Sequence, residues 1–175
     1  MPCGHERSGV PFPVSKSARP FLYSACIVVL LDQASKFILA KALPLYGSLP
    51  VIRGFFNLVH IRNRGIAFGL MNRPEGTFVA YLLPIATLLV ILLLAVLFIK
   101  LRDEGPRLTL GLGLVLGGAV GNLIDRFRLG EVIDFLDFYI GSLHWPAFNI
   151  ADASITAGAL WVAGNLFIAG PSKGR

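Results

Sequence analysis

The sequence predicts a mainly α-helical membrane protein of four transmembrane helices. Two observations carry this. Of 175 residues, 55% are hydrophobic and only 15% are charged, against about 25% charged in an ordinary soluble domain. So apolar a chain of this size cannot bury its hydrophobic residues in one small core and keep a polar skin. The apolar residues also fall into four runs, each long enough or nearly long enough to cross a hydrocarbon layer about 30 Å thick.

The chain is read as a flexible cytoplasmic tail over 1–19, a single four-span domain over 20–170 and a short cytoplasmic tail over 171–175. The first span, about 20–43, is interrupted by Asp32, Lys36 and Lys41. The second, 78–99, is uncharged throughout. The third, 108–124, places Gly113, Gly117 and Gly121 at four-residue spacing, which puts a small-residue stripe on one helix face for close packing. The fourth covers 153–170. Backbone polar groups in lipid must be satisfied within the segment, so all four are expected to be helices. Between spans one and two, Leu58-Val59-His60-Ile61-Arg62 alternates apolar and polar, the pattern of a half-buried strand.

Basic residues flank the runs, so the net charge of +6 is read as topology and anionic lipid rather than nucleic acid. With both termini inside, the inner segments 1–20, 100–107 and 171–175 are denser in Lys and Arg than the outer segments 44–77 and 125–152. Cys3 lies in the tail and Cys26 in the first span, so no disulfide framework is expected.

Ionisable residues at membrane depth are costly and mark function by default. Asp32 and Lys36 lie one turn apart on one face of span one. They can form a structural ion pair facing the bundle or help to shape a site. Asp125 ends span three, where the plain alternative is an interfacial salt bridge with Arg126. Asp152 opens span four, where it can serve simply as a helix-start charge. Glu131 and Asp137 are read as solvated loop charges. On this topology Asp32, Asp125, Asp134 and Asp152 all map to the outer interface. Asp134 and Asp152 sit among Ile133, Phe135, Ile150 and Ala151. Burial and a neighbouring carboxylate both raise a carboxyl pKa, and such a pair can share one proton for acid–base work on a peptide bond. The three histidines, His5, His60 and His144, form no zinc-ligand spacing. A small ion-coupled transporter using the interfacial carboxylates is the alternative, disfavoured because no internal repeat is visible. A non-catalytic scaffold is a third reading.

Five motifs carry a resemblance. They are Asp32-Gln33-Ala34-Ser35-Lys36; Asn63-Arg64-Gly65-Ile66-Ala67-Phe68-Gly69; Gly117 through Arg126; Val132-Ile133-Asp134-Phe135; and Trp145 through Ala153. In this order they make the chain resemble the bacterial lipoprotein signal peptidases, or signal peptidase II, over about residues 20–170. The resemblance implies a small extracytoplasmic β-sheet and a short outer helix beside the four spans. It implies an aspartic endopeptidase of the bacterial cytoplasmic membrane, active at the outer face, that removes the signal peptide from prolipoproteins before a diacylglyceryl-modified cysteine. The catalytic aspartates of the family fall on Asp134 and Asp152. Its supporting and substrate-binding residues fall on Asp32, Lys36, Asn63, Gly65, Asn122, Asp125, Arg126 and Asn149. Lipid-modified prolipoproteins, membrane lipids and a globomycin-type inhibitor are the implied partners, and neither a metal nor an organic cofactor is implied. Phe55, Phe56 and Phe68 are candidates to cover the site.

Overall fold

The computed structural model describes residues 18–64 and 77–169. The elements run α1 (Ala18–Ala42), β1 (Ser48–Ile52), β2 (Phe56–Asn63), α2 (Thr77–Leu101), a single 3-10 turn (Arg102–Glu104), α3 (Pro106–Leu129), β3 (Val132–Ile140), β4 (Leu143–His144) and α4 (Ile150–Ala169). Four of the described helices are long and apolar enough to cross a membrane. The strands form one antiparallel sheet in the order β1-β2-β3-β4. Residues 1–17, 65–76 and 170–175 lie outside the described residues, and with them both tails, Gly65, Phe68 and any helix within 65–76.

The hub of the bundle is α3, which packs against the other three helices. Glycine makes this possible. A side chain at Gly113 would collide with Phe21 and Ser24 of α1, and one at Gly117 would meet Ala25 and Val28. At Gly121 it would meet the Asp32 carboxylate at 2.6 Å. The stripe expected from the sequence therefore faces α1. A second small-residue contact was not expected: Gly111 and Gly118 meet Gly158, Ala151 and Ile155 of α4. Backbones that approach this closely gain dispersion contacts that larger residues would forbid. By contrast α2 packs mainly against α3 and presents Tyr81, Leu89, Leu92 and Ile99 outward.

Two span boundaries differ from the sequence expectation. Helix α3 continues past Ile124 to Leu129, so Asp125 and Arg126 are helical. A charge at position 125 does not end the helix, because Lys36 of α1 neutralises it at 2.8 Å. The helix stops instead at Gly130, whose φ of 73° forms a left-handed cap with its N–H on the Arg126 carbonyl. Helix α4 begins at Ile150 rather than 153, because Asn149 caps it.

The expected strand is β2. Its pairing with β3 shifts register between Leu58↔Leu136 and Ile61↔Asp134. Three steps on β2 oppose two on β3, which is a β-bulge at Val59 and His60. The freed His60 backbone instead exchanges hydrogen bonds with Tyr46 and Gly47. Because side chains alternate with period two, the extra residue moves everything beyond it to the other face. The bulge is thus what puts Asn63 on the face of Asp134. On β3, Ile133 and Phe135 pack against Leu39 of α1 and seat the sheet on one end of the bundle. Phe55 and Phe56 rest against Phe138.

Candidate active site

Where the sheet meets the bundle, polar side chains from five elements form one continuous network. Its root is Lys36. The Nζ atom contacts Asp32 Oδ2 at 2.8 Å, Asp125 Oδ2 at 2.8 Å and Asn122 Oδ1 at 3.1 Å. An ammonium has three protons, and all three are used. Asp32, Lys36 and Asp125 are almost fully buried, so each charge depends on the others for the solvation it has lost. Gln33 adds a donor to both carboxylates, at 3.2 Å to Asp32 and 3.0 Å to Asp125. Asp32 and Lys36 do form the expected ion pair and do face the bundle. Asp125 pairs with Lys36 rather than Arg126.

The two carboxylates of this root also grip the backbone. Asp32 Oδ1 accepts from Ala151 N–H at 3.0 Å, a first-turn N–H of α4 that has no partner within its own helix. Asp125 Oδ2 accepts from Ile133 N–H at 3.3 Å. One ion triad thereby ties α1 and α3 to the start of α4 and the start of β3, the segments that bear Asp152 and Asp134.

Asn122 and Asn149 link the root to those two residues. Asn122 donates to Asp152 Oδ1 at 2.7 Å. Asn149, fully buried, donates through Nδ2 to Asp134 Oδ1 at 2.7 Å. It also forms a capping box with Asp152: Asp152 N–H donates to Asn149 Oδ1 at 3.0 Å, and Asn149 N–H donates to Asp152 Oδ2 at 3.3 Å. The helix-start role weighed for Asp152 is real, and it coexists with the contact to Asn122. Asn63 Nδ2 donates to the other Asp134 oxygen at 2.9 Å. Asp134 and Asp152 are thus bonded to the same residue.

Asp134 is buried, whereas Asp152 is half-buried. Loss of water pushes the Asp134 carboxyl up to about 6, the Asp152 charge pushes the same way, and the Asn63 and Asn149 hydrogen bonds oppose it. Arg126, half-buried on the last turn of α3, is near enough for its charge to act on Asp152, Asp134 and Asp125. Four carboxyls thus face two fixed cations, Lys36 and Arg126. No group of three or more His, Cys, Asp or Glu suited to a metal ion occurs among the described residues.

Every site residue named from the sequence that lies among the described residues joins this cluster. Gln33 was not singled out, although it directly follows Asp32. Two sequence expectations are corrected. Glu131 is not a solvated loop charge: it pairs with Arg64 at 2.6 Å and lies 4.0 Å from Arg62. Asp137 is buried within β3 and bonded to Asn57 and His144.

Residues 24–168 match the family model described as Signal peptidase (SPase) II. The chain belongs to the signal peptidase II family. It is 45% identical to the lipoprotein signal peptidase of Nitratidesulfovibrio vulgaris over 83% of this chain and 88% of that one. To the lipoprotein signal peptidase of Syntrophus aciditrophicus it is 49% identical, over 81% and 88%. A solved bacterial membrane enzyme superposes with a TM-score of 0.76 at 33% identity, covering 89% of this chain and 92% of that one. The four helices and small sheet are thus those of a signal peptidase II in a membrane.

Proposed function

We propose that this chain is an aspartic endopeptidase that removes signal peptides from prolipoproteins, with Asp134 and Asp152 as its catalytic pair. The observation that carries this is the shared partner: Asn149 bonds both carboxyls, so one buried residue positions the two together. Charge balance supports one shared proton. With Asp32 and Asp125 set against Lys36, and Arg126 against the pair, a doubly ionised dyad would leave two uncompensated negative charges in a largely buried site, which adds to burial in keeping a proton on Asp134 up to about pH 6.

Asp134 is the member better suited to hold that proton, because it is the more deeply buried. Asp152, nearer solvent, takes a proton from a water. The water oxygen then attacks the scissile carbonyl carbon, while the Asp134 proton passes to the carbonyl oxygen. Collapse of the tetrahedral diol breaks the C–N bond. The proton taken by Asp152 goes to the departing amine nitrogen, and the diol returns a proton to Asp134. The buried root holds both carboxyls in place, which is where orientation gives most of its rate advantage.

Cleavage just before a diacylglyceryl-modified cysteine fits a site placed where bundle and sheet meet, with lipid beside it and water above. The density of Lys and Arg favours a topology with the sheet end outside the bacterial cytoplasmic membrane and both termini inside. A globomycin-type inhibitor is expected to compete for this site. The decisive experiment uses the full chain in detergent with a lipid-modified prolipoprotein. Wild type should release the signal peptide; Asp134→Asn and Asp152→Asn should each abolish release, since the pair acts as a unit. Full activity in either variant removes that residue from the mechanism. Proton flux through reconstituted vesicles without cleavage would favour the transporter reading.

A further inference from the structure

A second polar row crosses the sheet, and the proposed chemistry does not use it. Asp137 is buried in β3, yet both its oxygens are engaged. Asn57 Nδ2 of β2 donates to Oδ2 at 2.9 Å, and His144 Nδ1 of β4 lies 2.8 Å from Oδ1. The His144 ring stacks on Tyr139 at 4.8 Å, and Gly54 N–H donates to the Tyr139 hydroxyl at 2.9 Å. Neighbours across β2, β3 and β4 are therefore tied on one face by directional contacts.

The row stands beside an irregularity. Strand β3 pairs with the returning chain at Tyr139↔His144 and Ile140↔Leu143. Pairing resumes at Leu136↔Phe148, one residue out of step, where Phe148 bonds Leu136 in both directions. An extra residue is accommodated between His144 and Phe148. Asn149, the residue bonded to both Asp134 and Asp152, follows immediately. Apolar side chains such as Trp145 and Phe148 would tolerate a one-residue slip in this short return. The Asp137–His144 contact would not, because it is made in one register alone.

We propose that Asp137, held between Asn57 and His144, is a positioning residue that fixes the register of the return segment and so sets the Asn149 amide on Asp134. This rests on the reading of Asp134 and Asp152 as the catalytic pair. Loosening the row should leave substrate binding intact and misplace Asn149. A displacement of about 1 Å at a catalytic group can cost on the order of 100-fold in rate. It should also withdraw a hydrogen bond that favours the charged form of Asp134, so Asp134 would titrate at higher pH. The groups facing Asp134 are Asp152 from α4, Lys36 from α1, Arg126 from α3 and Asn63 from β2. All remain in the variants, so such a movement reports Asn149.

The test uses the full chain in detergent with a lipid-modified prolipoprotein. His144 is half exposed, so His144→Ala should fold, which a thermal melt checks. Its kcat should fall on the order of 10- to 100-fold, with KM within about twofold, and the alkaline limb of its pH profile should move up. His144→Asn, which keeps a donor near the Nδ1 position, should restore most of the rate. Asp137→Ala should match His144→Ala, and the double variant should be no worse than either single one. An unchanged kcat in folded His144→Ala overturns the proposal. So does a reduced kcat with an unmoved pH limb, or a raised KM alone. Asp134→Asn is run beside these: if it cleaves like wild type, the catalytic reading itself fails, whatever His144 does.

Discussion

Replacing Asp134 with asparagine should make the protein inactive and more stable. The carboxyl sits at the head of β3, outside the membrane-spanning helices, and burial raises it from the ordinary 3.8 to about 6. A raised acid pKa means that the folded state holds a proton the unfolded chain has already released. Between pH 4 and 6 the unfolded state therefore binds fewer protons, and wild-type stability falls as pH rises through that window. Above it the full penalty applies, about 3 kcal/mol for a displacement of this size. That figure already nets the Asn63 and Asn149 hydrogen bonds against desolvation. Asparagine is nearly isosteric and carries no charge. It can keep the Asn149 contact as an acceptor, and the Asn63 amide can turn to present its oxygen. The gain in Asp134→Asn should therefore be near zero at pH 4 and about 1–3 kcal/mol at pH 7.5. Thermal melts in detergent at the two pH values, run beside prolipoprotein cleavage, measure both effects. A variant less stable than wild type at pH 7.5, or a gap of equal size at both pH values, would refute the account of Asp134 as a desolvated acid.

Other perturbations probe the supporting parts. Lys36→Met removes the cation that Asp32 and Asp125 share and leaves two buried carboxyls facing each other; a loss of about 3–5 kcal/mol, read as a sharply lower melting temperature, is expected. Gly118→Ala sets a methyl against the Ala151 carbonyl and Ile155 of α4. It should displace Asp152 and lower kcat by at least about 10-fold while the four helices persist by circular dichroism. Asn63→Ala withdraws the 2.9 Å hydrogen bond to Asp134 Oδ2. The pH at which kcat/KM falls on the alkaline side should then rise; an unmoved limb would separate Asn63 from the dyad.

The helices were legible in the sequence because lipid imposes one rule on every residue of a span. The site was legible for a related reason: ionised groups at Asp32, Lys36 and Asp125 have no place in lipid unless they meet one another. What the sequence left open depends on partners that no local pattern names. Asp125 was read as the end of a helix, since the cation that lets the helix continue lies 89 positions earlier, at Lys36. Asp137 was read as solvated, since its acceptors' partners, Asn57 and His144, come from different strands. The capping box Asn149-x-x-Asp152 was present in the sequence and would have started α4 at Ile150.

That capping box explains why one residue can both begin a helix and belong to a dyad. An N-terminal turn offers free N–H groups and a positive end, and in lipid those groups must be satisfied. Asp152 and Asn149 satisfy two of them reciprocally, and Asp32 takes the N–H of Ala151. The structural need to close the start of α4 in an apolar setting therefore gathers carboxylates at one point. Asn122 and Lys36 hold that point against α3 and α1, and the bulge in β2 turns Asn63 toward it. The sheet then adds the one acid, Asp134, that the helix end does not require. On this reasoning the chemistry depends on Asp134 being surplus to the folding needs of its surroundings, which is why removing its charge should stabilise the chain, while removing the charge of Lys36 should undo it.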